Sequence, residues 1–395
     1  MKQLMKAISL AMVFCLLLMC CASAEAASPV YSYDDQFSSR DLKQTADLTD
    51  AVTYTLADGQ DIHITAAGVY VITGSAANAT IYIEATKEDK VQLVLDGVSV
   101  TNGNFPVIYA KTADKVFVTV SGDSTLAVTG AFVSDGDTST DGVIFSKCDL
   151  VLNGTAALTV SSTQNGIVGK DDLKITGGTY TVTAQSKAIQ ANDSIRIAGG
   201  TLSLTAGTDG LHAENDSDDS LGYVYIADGS LTIYAGDDGI HATSVVQIDG
   251  GSIAIQAAEG IEGTYIQLNG GTLNIQSRDD GINAANKSGA YRATVEINGG
   301  DITVVMASGD TDGIDSNGDI IVNGGTVSVT GQSTFDYDGS AQYNGGVIIA
   351  NGQQINYIPS QMMGGRGGMG TVTNGGYGGG WTNGGFGGRG GRGGW

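Results

Sequence analysis

Four short stretches set carboxylates ahead of a glycine and an aliphatic residue: GTDGLHA from position 207, GDDGIHA from 236, RDDGINA from 278 and DTDGIDS from 310. Carboxylates brought together repel unless a cation lies between them. Calcium suits such a set, because it takes about six to eight oxygen ligands from acids, amides and turn carbonyls. Two calcium sites are expected, one around Asp209, Asp237 and Asp238 and one around Asp279, Asp280, Asp310, Asp312 and Asp315, with Glu259 in the same column between them. A lone Asp-Gly is ordinary turn chemistry; doubled acids recurring in register favour a metal over solvated turns. Asp135, Asp137, Asp141 and the insert ENDSDDS at 214–220 are weaker candidates, since acidic loops are commonly solvated. His212 and His241 stand two residues past successive glycines of the motif. A zinc pair would need a further soft ligand, and His63 is far away in sequence, so an exposed histidine face is expected.

The elements that must position these residues repeat. From position 153 a turn pair recurs as Asn153-Gly154, Gly177-Gly178, Gly199-Gly200, Asp228-Gly229, Gly250-Gly251, Gly270-Gly271, Gly299-Gly300 and Gly324-Gly325, at steps of 20 to 29 residues. Periods of this size signal a solenoid. Alternating strands such as IRIA and VQID precede the turns, others such as TYTVTA and SIAIQA follow them, and a third short strand follows each acidic turn. No stretch of the mature chain has a convincing helical period. The expected fold is therefore all-β, a right-handed parallel β-helix resembling that of pectate lyases, with coils stacked at about 4.8 Å.

That geometry sorts residues into columns. Leu173, Ile195, Val224, Val246, Ile266, Val295 and Ile320 form one inward ladder, and Ile167, Ile189, Leu211, Ile240, Ile261, Ile282 and Ile314 another. An outward column reads Lys174, Arg196, Tyr225, Gln247, Gln267, flanked by Tyr223 and Tyr265. Basic groups for uronate carboxylates, aromatic faces for sugar rings and amides for hydroxyls make it a candidate flat carbohydrate-binding strip, with an ordinary solvated sheet face as the alternative.

Composition bounds the rest. Lys2 and Lys6, an apolar run to about Cys20 and the small residues Ala22-Ser23-Ala24 read as a signal peptide over 1–24, too short for a membrane span, which implies a secreted, extracellular protein. Without that leader the chain keeps 17 basic against 42 acidic side chains, a net charge of −25. Such an excess disfavours nucleic acid and anionic membrane and favours cations. Cys148 is the one cysteine left, so no internal disulfide is available. Residues 30–150 read as a cap with irregular early coils and 151–358 as the regular β-helix. The segment 361–395, with 18 glycines in 35 residues, reads as a disordered low-complexity tail whose Arg-Gly pieces offer contact with a cell wall or an acidic glycan.

Several motifs carry a resemblance: VQLVLDGVSV at 91, VIFSKCDLVLNG at 143, GIVGKDDLKITGGTYTVTA at 166, the DDGI turns and FDYDG at 335. The chain resembles secreted bacterial carbohydrate-binding-domain β-helix proteins, related in fold to the calcium-dependent family 9 polysaccharide lyases. The resemblance implies calcium in the β-helix and binding of cellulose-like or acidic plant polysaccharide, without established catalysis. Cys148 stands where the family usually shows Asp, and SKAIQAND at 186 replaces an acidic turn. Binding of an extended cell-wall or acidic polysaccharide is the expected function. One alternative is calcium-dependent β-elimination, with Lys187 as base, although the favoured role of its ammonium is to replace a cation and neutralise Asp209. Another is a structural surface or biofilm protein.

Overall fold

In the computed structural model, which describes residues 30–309 and 311–360, the strand after each glycine turn buries every second side chain. Thr179–Ala184, Thr201–Ala206, Ser252–Ala257 and Thr272–Ser277 all alternate exposed and buried positions, as in a sheet with one face on the core and one in water. The proposed leader at 1–24, the candidate ligand Asp310 and the tail at 361–395 lie outside the described residues.

Each coil adds one strand to each of three parallel stacks. The first holds Asp172–Ile175, Ser194–Ile197, Tyr223–Ile226, Val245–Ile248, Tyr265–Leu268 and Thr294–Ile297. The second holds the alternating strands. The third holds Asn165–Gly169, Ile189–Ala191, Leu211–Ala213, Asp238–Ala242, Glu259–Gly263, Ile282–Ala284 and Asp312–Ser316 within one 12-stranded sheet. Near the N-terminal end the first two stacks fuse, because Lys90–Asn102 is long enough to pair with both Lys115–Val120 and Ser124–Val128. Register follows the columns read from the repeat: Leu173 pairs Ile195, Ile195 pairs Val224, and Leu211 pairs Ile240, all fully buried. The chain is a parallel β-helix. Among the described residues the only helix is one turn, Tyr33–Gln36, and no helix is long and apolar enough to cross a membrane.

The recurring turn between first and second stacks needs its second glycine, since Gly251, Gly271 and Gly300 have φ of 91°, 87° and 88°, where a side chain is strained. Just before those glycines an asparagine ladder runs along the solenoid. Asn298, Asn323 and Asn344 each donate from Nδ2 to the Oδ1 of the asparagine one coil earlier, at 2.8, 2.7 and 2.7 Å. Asn298→Ala breaks two of these bonds and should cost about 1–3 kcal/mol. Chemical denaturation checks this, with an unchanged slope and a lower midpoint expected.

Strands of the first stack are buried on both faces, as Tyr223–Ile226 and Val245–Ile248 show. Their outer face is covered by the first described residues, 30–46, which run as a strap across successive coils. Val30 N–H donates to Gln267 Oε1 at 3.1 Å, Tyr31 N–H to Gln247 Oε1 at 2.7 Å, and Gln44 Nε2 to the Thr176 carbonyl at 3.0 Å.

Candidate functional site

The third stack's outer face carries one continuous column through Val168, Gln190, His212, His241, Glu262, Asn283, Asp315 and Asp336, each paired with the next. Acids at the preceding turns flank it, with Asp238 opposite Glu259 in register. The glycine of each motif has a packing cause. A Cβ on Gly239 would lie 2.3 Å from Ile255 Cγ2 and 2.6 Å from the Gly260 carbonyl oxygen, and one on Gly281 would lie 2.3 Å from the Gly313 oxygen. The chemical signal therefore rests in the carboxylates.

The upper part of the column sets two imidazoles and a lysine against its acids. His212 and His241 are buried, and their rings stack at 4.5 Å, which corrects the expected exposed histidine face. The acids at both turns draw the rings inward: Asp209 Oδ2 lies 2.8 Å from His212 Nδ1, and Asp238 Oδ2 lies 2.7 Å from His241 Nδ1. Glu262 Oε2 is 2.9 Å from His241 Nδ1 and 3.0 Å from Lys287 Nζ. Burial opposes the charged His241, but Asp238 and Glu262 outweigh it and lift its pKa to about 9. Burial likewise opposes the charge on Asp209, yet His212 holds its carboxyl below the ordinary range. Carboxylate oxygens of Asp209, Asp237 and Asp238 lie within 4.8 Å of one another, so the first expected calcium set does converge. Asp209 and Asp238, however, each already turn Oδ2 to an imidazole.

Lower in the column only hydrogen bonds relieve the acids, Asn283 Nδ2 donating to Glu259 Oε2 at 3.1 Å, and among the described residues no lysine, arginine or histidine pairs with Glu259, Asp280, Asp312 or Asp315. Burial first, then Glu262, Asp238 and Asp280, pushes Glu259 up to about 7. Burial, with Asp279, Asp312 and Glu262, raises Asp280 to about 6 despite the Asp312 backbone N–H. Burial, then Asp280, Asp312 and Asp336, raises Asp315 to about 7. Asn283 Oδ1 and Asp312 Oδ1 are buried without a hydrogen-bond partner. In the second expected set Asp279 is exposed, Asp280, Asp312 and Asp315 are half-buried, and no three of their oxygens meet within 4.8 Å among the described residues. Asn283 and Asp336 join this group and were not among the sequence candidates; each lies one coil from Asp315 in the same column, and only Asn283, two residues past Gly281, carried the motif's signal, since Thr334 stands where the next glycine would be. Hard oxygens, orphaned acceptors and unneutralised charge fit a calcium-type ion.

The expected carbohydrate strip is closed, because its own polar and aromatic character recruits the strap. Lys174 is buried and donates to Asp41 Oδ2 at 3.1 Å. Arg196 donates to Asp172 Oδ2 at 2.6 Å and lies 5.3 Å from the centroid of the Tyr223 ring. Tyr223 stacks on Tyr31 at 4.3 Å and donates to Gln36 Oε1 at 3.0 Å. Tyr225, Gln247 and Gln267 are fully buried, and the Tyr265 hydroxyl donates to Glu296. None of these presents a free face to a polymer. The open flat surface is the outer face of the second stack, where Thr232, Gln256, Asn274 and Gln276 line a shallow groove beside Tyr234, which is 51% exposed.

Remaining candidates scatter. Lys187 is half-buried, its backbone N–H donating to Asn165 Oδ1 at 3.0 Å. Asp135 pairs with Lys111 at 3.2 Å, and the insert at 214–220 is held by its own Asn215 and Asp218 turns and by bonds to neighbouring coils, Asn215 Nδ2 donating to Asp193 Oδ1 at 2.8 Å and Glu214 Oε2 lying 2.9 Å from His212 Nε2. Burial pushes the Cys148 thiol up to about 11, so the residue replacing the family's Asp is a core group.

The family model for carbohydrate-binding domain-containing proteins matches residues 58–310 and 257–356, most of the described chain. The chain belongs to this family. A carbohydrate-binding domain-containing protein of Acetivibrio thermocellus is 34% identical over 147 residues, 36% of this chain and 50% of that protein, so the chain spans about half the length of this curated relative. A solved structure of the polysaccharide lyase-like protein from C. thermocellum, a gadolinium derivative, is 31% identical with a TM-score of 0.50, covering 56% of this chain and 96% of that one. The β-helix and the DDGI turns thus sit in a carbohydrate-binding domain family with a lyase-like structural relative.

Proposed function

We propose that this member of the carbohydrate-binding domain family works outside the cell and binds an extended acidic polysaccharide through calcium held beside the third stack, without cutting it. The observation that carries the reading is the lower column: Asp280, Asp312, Asp315 and Asn283 present half-buried oxygens from successive coils, and among the described residues no basic side chain pairs with these acids. Calcium there would take its ligands from these four residues, and it can bridge protein carboxylates to the carboxylates of a uronate polymer. So acidic a protein could hardly hold an acidic glycan otherwise. The second-stack strands Thr201–Ala206, Ser230–Ala235, Ser252–Ala257 and Thr272–Ser277 run into acidic turns, so their hydroxyl and amide face and exposed Tyr234 can receive sugar rings next to the cation.

Polygalacturonate binding by the full chain should require calcium and vanish with chelator. Asp280→Asn combined with Asp315→Asn should weaken it about tenfold or more, as expected when ligand charge is removed. Isothermal titration with and without calcium gives the answer, and equal affinity in chelator would sink the proposal. Steady growth of ultraviolet absorbance from an unsaturated product, lost in Lys187→Ala, would instead establish a lyase.

A further inference from the structure

Where the third stack's column passes from amides to acids, two imidazoles from successive coils lie face to face, 4.5 Å apart and 16° from parallel. They occupy paired positions of Leu211–Ala213 and Asp238–Ala242, so backbone register sets their spacing. Both are more than nine-tenths buried, at 5% and 8% exposure. Each ring turns Nδ1 toward a carboxylate three residues earlier in the chain, Asp209 for His212 at 2.8 Å and Asp238 for His241 at 2.7 Å. Glu262 adds a second acid on His241 Nδ1 at 2.9 Å. At the other ring nitrogen of His212, Nε2, the partner is Glu214 Oε2 at 2.9 Å. Ligand atoms of His212, His241 and Glu214 lie within 4.8 Å of one another.

The geometry points to a second metal site, in which His212, His241 and Glu214 bind a divalent transition metal of the zinc class. Imidazole is a ligand that zinc, copper and nickel favour and calcium does not, so this position and the all-oxygen group lower in the column select different ions. An acid on Nδ1 is the arrangement that fixes a metal-ligating histidine, because it holds the Nδ1 proton and leaves the Nε2 lone pair for the ion. Asp238 and Glu262 supply it here for His241, while Asp209 Oδ2 stands 2.8 Å from His212 Nδ1 without a formed hydrogen bond, placed to take that proton once the ring ligates an ion, which assigns these acids an orienting role. Glu214 completes a three-ligand set from the exposed side, its side chain 47% accessible, leaving a fourth position open to water or to a ligand carboxylate. The competing account makes both imidazoles plain cations that neutralise the surrounding acids, and in that account the exposed Glu214 is dispensable.

The inference stands apart from the calcium proposal, and the test separates them. Full-length protein stripped with chelator is titrated calorimetrically with zinc and with calcium, and with cobalt(II) for its visible absorption. One zinc per chain is expected, with four-coordinate cobalt bands. Glu214→Gln, which leaves the core untouched, should weaken zinc at least tenfold, and Asp238→Asn about 10–100-fold, as for other residues that orient metal-bound histidines. Asp280→Asn with Asp315→Asn should leave zinc binding in place while removing the calcium response. Circular dichroism and melting confirm that each variant is folded. The site is overturned if zinc is not taken up, if Glu214→Gln binds zinc as tightly as the parent, or if equimolar calcium displaces it.

Discussion

Asp41→Ala should lower the unfolding free energy by about 3–5 kcal/mol, the range found when one partner of a buried ion pair is removed and the other is left without compensation. Asp41 is 1% exposed and lies in the strap, far in sequence from Lys174, to which it is bound, and 3.6 Å from Lys115. Burial and the neighbouring Arg196 already hold Lys174 below the ordinary lysine range, so its charge depends on Asp41. Burial opposes the Asp41 charge too, but the Ser38 backbone N–H and both lysines more than offset it and keep the carboxyl low. The same substitution loosens the strap, whose Thr176 Oγ1 contact to the Asp41 carbonyl survives but whose Ser38 N–H loses its acceptor. Asp41→Asn with Lys174→Met should recover most of the loss, because a neutral, well-packed replacement avoids the desolvation of both charges. Urea titration of the cycle measures the coupling. It also settles what Lys174 is for: Lys174→Ala should alter stability while leaving polygalacturonate affinity unchanged well below the melting temperature. Weaker glycan binding at undiminished stability would return Lys174 to the sugar site and displace the strap.

The difference between Lys174 as sequence and Lys174 as structure marks where legibility ends. Column membership could be read from the repeat, because a strand's period of two and a fixed coil step leave one register that buries every aliphatic residue. Hence Lys174, Arg196, Tyr225, Gln247 and Gln267 do pair in order along the first stack. What covers a face cannot be read that way. The strap meets its targets at separations such as Tyr31 to Gln247, and a non-repeating segment has no period that predicts its path. Similarly, His212 and His241 follow the column pattern, yet whether they are exposed depends on how the acids at the turns bend toward them, a matter of rotamers. Glu214 was visible only as part of an acidic insert, and its reach back to His212 across Ala213 appears in coordinates alone. The DDGI glycine was legible for another reason: coil stacking leaves no room for Cβ at Gly281.

In chelator the protein should become less stable as pH rises from about 4.5 to 7.5, and calcium should remove most of that slope. The sign follows from Glu259, Asp280 and Asp315, whose carboxyls are raised in the fold to about 7, 6 and 7. Carboxyls in the unfolded chain titrate near 4, so between that pH and about 7 the native state holds more protons than the unfolded one. Stability therefore falls through this window, and above it the full repulsion of the ionised column remains. Each tenfold change in proton affinity is worth about 1.4 kcal/mol, and all three groups act in the same direction. Calcium at about 100 to 1,000 times its dissociation constant adds about 2.7 to 4.1 kcal/mol and is most effective where the acids are ionised, near neutrality. The double variant that removes charge should cross over the parent: Asp280→Asn with Asp315→Asn melts above the parent in chelator at neutral pH and below it in calcium. Scanning calorimetry of parent and variant at both ends of the pH window reads all four quantities. A parent whose melting temperature is indifferent to calcium and does not fall with pH in chelator would show that the acids are separated well enough by water to need no ion.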